Sequence, residues 1–352
     1  MDLLELKIMK RKIRFGFVGT GRISDWVLKG AFLDPRFKLE AVCSRSKERA
    51  DAFAARYGVK KTFTDIEEMA SCPTVDAIYI GTPNATHKDL AIKAMNCGKA
   101  VLCEKPLASN AAEVREMTAA AKANGVLLME AMISTLNPNF KEAVRFIDEI
   151  APIRHWSSAF CQYSARYEKL LAGEVTNVIN PAMAGGAIMD IGVYTIYPMV
   201  RLFGKPESLT ASMRTIPLPD GSLTDVSGSI QFSYPGMHAS IIYSKTDDSF
   251  LPTEIAGEKG NILLDQIHIT RKAEYIPHAA PASGRGLPPE RQDITCSMDG
   301  DEYQCEFREF IDLLTYGKKE SAINTLQTSL TVMEIIDEAR RQNGITYPAD
   351  KL

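Results

Sequence analysis

From Lys12 to about Glu130 the chain alternates short runs rich in Val and Ile with longer segments of helical period, and few folds accept that pattern. The runs IRFGFVG, FKLEAVC, VDAIYIG, AVLCE and VLLMEA are apolar almost throughout, so each strand needs cover on both faces, as in a parallel sheet. The segments between them, residues 23–33, 47–57, 86–97 and 109–124, supply that cover, the last opening on a Ser109 cap and closing before Gly125. The pattern predicts a doubly wound α/β domain over residues 12–131.

Past Asn137 the texture changes. A helix NFKEAVRFIDEI and a strand IRHWSSAFCQYS lead through a Gly-rich stretch into a helix AIMDIGVYTIYPMVRLFG. Then SLTASMRTI, DVSGSIQFSY, MHASIIYSK, TEIAGE, GNILLD and HITRKAEYI follow with turn residues between them and no long helix, which predicts a large, mainly antiparallel open sheet. Helices over 305–316 and 324–343 close the chain and are expected to cover one face of that sheet. Residues 132–352 are therefore read as a second, α+β domain, with 280–293 as an exposed loop.

At 352 residues two cores are affordable, and 45% apolar with 24% charged residues excludes disordered, collagen-like and coiled-coil readings. A formal net charge of -3 leaves no basic surplus for a phosphate backbone, so nucleic acid is not an expected partner. The opening MDLLELKIMKRK breaks its apolar residues with charges and no later run approaches a membrane span, so the expectation is a cytoplasmic protein without membrane contact. Seven scattered cysteines without a CxxC pair read as reduced, and five histidines without ligand spacing give no metal site.

The chemistry concentrates at strand ends. The first strand runs into GTGRIS (Gly19, Thr20, Gly21, Arg22, Ile23, Ser24) and directly into a helix, a context that brings backbone N–H groups and a helix N-terminus up to a dinucleotide pyrophosphate; a plain tight turn is the other reading. The second strand ends in CSRS, where a domain preferring NAD would place an acidic residue on the ribose. Ser44, Arg45 and Ser46 can instead hydrogen-bond a 2'-phosphate, which favours NADP over NAD, although a solvated Arg45 would look the same. The fourth strand ends in GTPNATH, whose Asn84 or Thr86 can cap the next helix and whose Thr82, Asn84 and His87 lie at the ligand-binding edge of such a sheet. AVLCEKPL ends at the same edge: Lys105 is placed to face a nicotinamide and a substrate hydroxyl, with an ion pair to a carboxylate as the alternative. Glu104 is a candidate for the nicotinamide ribose or carboxamide, or for neutralising Lys105.

Together GTGRIS, SRS, TPNATH, GKAVLCEKP and GGAIMDIGVY resemble the Gfo/Idh/MocA oxidoreductase family over most of the chain, and most of all its branch of glucose-fructose oxidoreductases, dihydrodiol dehydrogenases and NADP-dependent xylose dehydrogenases. The resemblance implies a Rossmann domain, a hydride-transferring activity, catalytic roles for Lys105 and Tyr194, and a homodimer or dimer of dimers. Inositol dehydrogenases of the family have histidine where Tyr194 stands, which disfavours an inositol-type substrate here. Asp190 and Tyr194, four apart, share a helix face, and Gly185 and Gly186 let that helix begin close to another backbone. In this scheme Tyr194 donates the proton, Lys105 orients the oxygen and tunes Tyr194, and Asp190 positions the substrate or the lysine. Arg166 and Tyr163 are further candidates for a sugar hydroxyl, or surface residues.

The expected function is NADP(H)-dependent oxidation or reduction of a sugar, diol or α-hydroxycarbonyl compound. A glycosidase using tightly held NAD and a non-catalytic nucleotide-binding regulator are the alternatives; SRS argues against the first, and retention of Lys105 with Tyr194 against the second.

Overall fold

Six parallel strands, β1 (Ile13–Val18), β2 (Phe37–Cys43), β3 (Lys61–Phe63), β4 (Ala77–Ile80), β5 (Ala100–Glu104) and β6 (Leu128–Ala131), form one sheet in the order β3-β2-β1-β4-β5-β6. Every residue of β4, β5 and β6 is buried, the consequence of helices on both faces. Strand β3 escapes a sequence reading because Lys-Thr-Phe at a sheet edge is too short to show a period. The computed structural model describes residues 11–278, 290–297 and 300–351 of two units, Met1–Met132 with Asp299–Met333 and Ile133–Met298 with Glu334–Leu352.

The first unit thus includes a segment that the sequence reading assigned to the second domain. Helix Gln304–Thr315 packs on the Rossmann-like sheet: Phe307, fully buried, has its ring 5.6 Å from Phe15, 5.5 Å from Phe37 and 5.9 Å from Tyr79. Burying one such ring is worth roughly 2–3 kcal/mol. Gly30 admits the close approach, since a Cβ there would lie 2.5 Å from the Gln304 amide nitrogen.

In the second unit β7 (Ile153–Cys161), β8 (Ser208–Pro217), β9 (Leu223–Tyr234), β10 (Met237–Ser244), β11 (Thr253–Gly257), β12 (Gly260–Leu264), β13 (Ala273–Pro277) and β14 (Gln292–Asp293) form a sheet ordered β14-β13-β12-β11-β7-β10-β9-β8. Only β7 and β10 run parallel; the other pairs are antiparallel. Helix Val193–Phe203 packs against β7 and β10. With the turn before it, the stretch Pro181–Phe203 is long and apolar enough to cross a membrane, contrary to the expectation from sequence, but 83% of its most apolar window is buried in the protein, as in a core helix. The helix expected over 139–150 breaks into Pro138–Arg145 and Ile147–Ile150, and the helix Ala165–Leu171 is an addition. Of the loop expected at 280–293, residues 280–289 lie outside the described part.

Candidate active site

Strand β1 delivers the chain to Gly19, at φ +103°, where a Cβ would lie 2.4 Å from Gly81 O at the end of β4. Ser24, the third small residue of GTGRIS, is fully buried and donates from Oγ to Gly19 O (3.0 Å), closing the turn. Helix Arg22–Ala31 starts from Gly21, which has extended backbone and no side-chain cap, and a Cβ on Gly21 would meet no protein atom within 4 Å. Ser24 N donates to Gly21 O (3.1 Å), no side chain caps the N–H groups before it, and the ground in front of the helix start is open; the residues fit a dinucleotide pyrophosphate. Thr20 and Ile23 flank the turn half-buried, and Arg22 is exposed.

At the tip of β2 the three candidate phosphate ligands divide. Arg45 is exposed and, among the described residues, has no hydrogen-bond or ion-pair partner, so its guanidinium is available. Ser44 is half-buried. Ser46 is already engaged: its Oγ accepts from Arg49 N (3.2 Å), capping helix Lys47–Arg56, and donates to Glu48 Oε2 (2.7 Å). Arg49, one turn on, is a second exposed guanidinium that the sequence reading overlooked.

Beyond β4 the loop is tied internally. Thr82 Oγ1 lies 2.7 Å from Thr86 Oγ1, and the Thr86 hydroxyl donates to Pro83 O (2.8 Å), so Thr86 at the start of helix His87–Asn96 makes no side-chain cap; Asn84 opens the 3₁₀ turn before it. His87 does not face a cleft. It is fully buried, with Nε2 2.9 Å from Thr82 O and Nδ1 3.1 Å from Pro106 O. Burial pushes its pKa down, and the neutral ring, carrying one N–H, donates to one of the two carbonyls. His87 therefore braces the GTPNATH loop against the EKP loop.

Within that second loop Lys105 is half-buried and its peptide bond to Pro106 is cis. Glu104, 7% exposed, accepts from Tyr79 OH (2.8 Å) on Oε1 and from Lys105 N (3.3 Å) on Oε2. Burial, then the Glu104 charge, drives the Tyr79 pKa well up, so this phenol stays a donor. Glu130 on β6 accepts from Leu107 N (3.0 Å), and burial raises its pKa to about 7. A glutamate inside the apolar run VLLMEA was the available signal for it. The helix after β5 is capped by Asn110, whose Oδ1 accepts from Glu113 N (2.9 Å), and not by Ser109, whose N–H goes to Glu113 Oε2 (2.9 Å).

In the second unit the candidates gather on one helical segment. Gly185 and Gly186 precede a π-helical turn, Ile188–Gly192, which runs into helix Val193–Phe203. A Cβ on Gly186 would lie 2.2 Å from Asp225 Oδ1, and Asp225 Oδ2 accepts from Ile188 N (2.7 Å), so this buried carboxyl anchors the segment's start; burial lifts its pKa to about 6. Asp190 lies in the wide i→i+5 turn rather than on a regular helix, a geometry frequent at functional sites. It forms an ion pair with Lys245, whose side chain is 4% exposed. The half-buried Tyr194 ring sits edge-on to Phe160 (5.7 Å) and to His268 (6.2 Å), which stack on one another at 4.0 Å. Lys245, His268, Phe160 and Asp225 were not singled out from sequence; Lys245 merely ends the run MHASIIYSK. Arg166 and Tyr163 are exposed beside the end of β7. Among the described residues no group of three His, Cys, Asp or Glu side chains could hold a metal ion.

A phenol, an ammonium and a carboxylate at these positions are the groups that acid–base work on an alcohol or carbonyl requires. Comparison with known proteins bears on that chemistry. Residues 13–132 match the description "Oxidoreductase family, NAD-binding Rossmann fold", and residues 141–263 match the GFO/IDH/MocA C-terminal domain. A scyllo-inositol 2-dehydrogenase (NADP+) of Bacillus subtilis is 43% identical over 96% of this chain and 99% of its own length. The trans-1,2-dihydrobenzene-1,2-diol dehydrogenase of Sus scrofa is 32% identical, again covering 96% and 99%. The aldose-aldose oxidoreductase of Caulobacter crescentus has the same fold, with TM-score 0.80 at 21% identity over 94% of this chain and 97% of that one.

Proposed function

Because the chain belongs to the Gfo/Idh/MocA oxidoreductase family, we propose that it is an NADP(H)-dependent dehydrogenase of a cyclic polyol or sugar, with Tyr194 as its proton-transferring residue and Lys105 as the residue that orients the reacting oxygen. The observation that carries the reading is the helix start at Gly21, uncapped and open, within a domain matched to an NAD-binding family. Arg45, exposed and unpartnered among the described residues, supports NADP, as does the cofactor named for the Bacillus subtilis relative. That relative also restores an inositol-like polyol as a substrate class: the argument against it rested on one residue, Tyr194 in place of histidine, whereas the similarity spans the chain.

When bound, a nicotinamide cofactor would supply or accept the hydride. The remaining work falls to the protein. In the oxidation direction Tyr194 takes the proton of the substrate hydroxyl, and in reduction it returns a proton to the carbonyl oxygen. Lys105 holds that oxygen and favours its anionic form through its positive charge. Asp190, in the turn preceding Tyr194, positions the substrate. Gly19, Thr20, Gly21, Arg22 and Ile23 would hold the pyrophosphate, Ser44 and Arg45 the 2'-phosphate, and Thr82, Asn84 and Glu104 the nicotinamide end.

Replacing Tyr194 with Phe tests the assignment. Turnover of scyllo-inositol with NADP should fall by about 100-fold or more, the scale of lost general acid–base help, while NADPH affinity measured by fluorescence stays unchanged. Normal turnover in Tyr194→Phe would remove the residue from the mechanism.

A further inference from the structure

Lys245 directly follows strand β10 with its side chain 4% exposed, and an ammonium is held out of water only when a charge partner compensates it. Asp190 is that partner. The Lys245 amide also donates to Val226 O (2.9 Å), next to Asp225, whose carboxyl receives Ile188 N (2.7 Å) at the start of the π-helical turn. The lysine is thus tied to both parts of the framework that carries Tyr194: to Asp190 within the turn, and through β9 to the carboxyl that anchors it. Four residues after Asp190 comes Tyr194 itself.

We propose that Lys245 is a positioning residue for the proton transfer: its ammonium holds Asp190 in the π-helical turn and offsets the charge of that carboxylate, four residues before Tyr194. The inference rests on Tyr194 as the proton-transferring residue. The charged and titratable groups around Lys245 make the compensation necessary. Asp190 comes from the turn and Asp225 from β9. Asp247 and Asp248 come from the segment after β10, where Asp247 contacts the Ser244 hydroxyl and Asp248 Oδ1 accepts from Tyr163 N (2.9 Å). Tyr243 on β10, fully buried, is a neutral phenol whose pKa burial pushes far up. Removing the lysine takes one positive charge from among these four carboxyl groups, and the more negative surroundings oppose formation of a phenolate.

The consequence is a pair of opposite shifts. With tyrosines labelled at Cζ, NMR of the full chain follows ionisation of Tyr194, its resonance assigned by its disappearance in Tyr194→Phe. In Lys245→Met the Tyr194 titration should move to a pH about one unit higher, and in Asp190→Asn, which leaves the ammonium uncompensated, to a pH about one unit lower. The double variant Asp190→Asn/Lys245→Met should return towards the wild type. A pair serving only to stabilise the fold would move neither titration. Asp190 is partly exposed, so Asp190→Asn reads the effect even where Lys245→Met does not fold. If Tyr194 titrates identically in the wild type and every folded variant, or in none of them, the inference is overturned. If the opposite shifts appear while Tyr194→Phe turns over normally, the charge coupling stands and the catalytic assignment of Tyr194 falls.

Discussion

Two helices of the first unit begin at the same edge of the same sheet and are finished in opposite ways. Helix Ala111–Asn124, after β5, is closed by a reciprocal cap: Asn110 Oδ1 takes Glu113 N, and Glu113 Oε2 takes Ser109 N, each at 2.9 Å. Helix Arg22–Ala31, after β1, has only Gly21 before it and no side-chain cap. Helices Lys47–Arg56 and Ile66–Ser71 are capped by Ser46 and Asp65, whereas His87–Asn96, after β4, lacks a side-chain cap. Two of the uncapped starts follow β1 and β4, the neighbouring strands at which the strand order reverses; helix Gln304–Thr315, which packs on the sheet from a distant part of the chain, is uncapped as well. The reversal point is where open α/β sheets bind ligands, and an uncapped helix start at that point fits an anion.

The largest expected effect tests the open end. Gly21→Val adds a side chain whose Cβ meets no protein atom within 4 Å, so the thermal midpoint should hold while NADPH affinity drops by about 100-fold or more. Undiminished binding by this variant would show that the open helix start is not the pyrophosphate seat. A smaller effect separates the neighbouring strand tip. Arg45→Asp should reverse a preference for NADPH over NADH of about 10-fold, since a carboxylate repels the 2'-phosphate and accepts from a ribose hydroxyl. Equal binding of the two cofactors to the wild type, measured calorimetrically at physiological salt, would exclude Arg45 from that role. The smallest effect lies at the closed end. Asn110→Ala should cost about 1 kcal/mol in urea unfolding with no change in NADPH affinity. A loss of affinity there would erase the distinction between capped and open ends.

Much of this was legible in the chain because it is local. The period of the Val and Ile runs is carried by consecutive residues, so the parallel sheet and the mainly antiparallel sheet follow from it, and GTGRIS and EKP mark strand ends because glycine and proline restrict the backbone where they stand. The cap at the helix after β5 was placed one residue early, since Ser109 and Asn110 are equally good caps and only the backbone geometry selects one. What tertiary structure decided is what depends on residues far apart in sequence. His87 became a brace because Pro106 O meets its ring; Asp190 acquired Lys245, Asp225 came under Gly186, and residues 299–333 joined the first unit through Phe307. Each of these pairings depends on a burial and a distance that exist only once the sheets have formed. A lysine at the end of MHASIIYSK reads as a surface charge until its ammonium is found inside the fold, where removal from water makes a carboxylate partner obligatory.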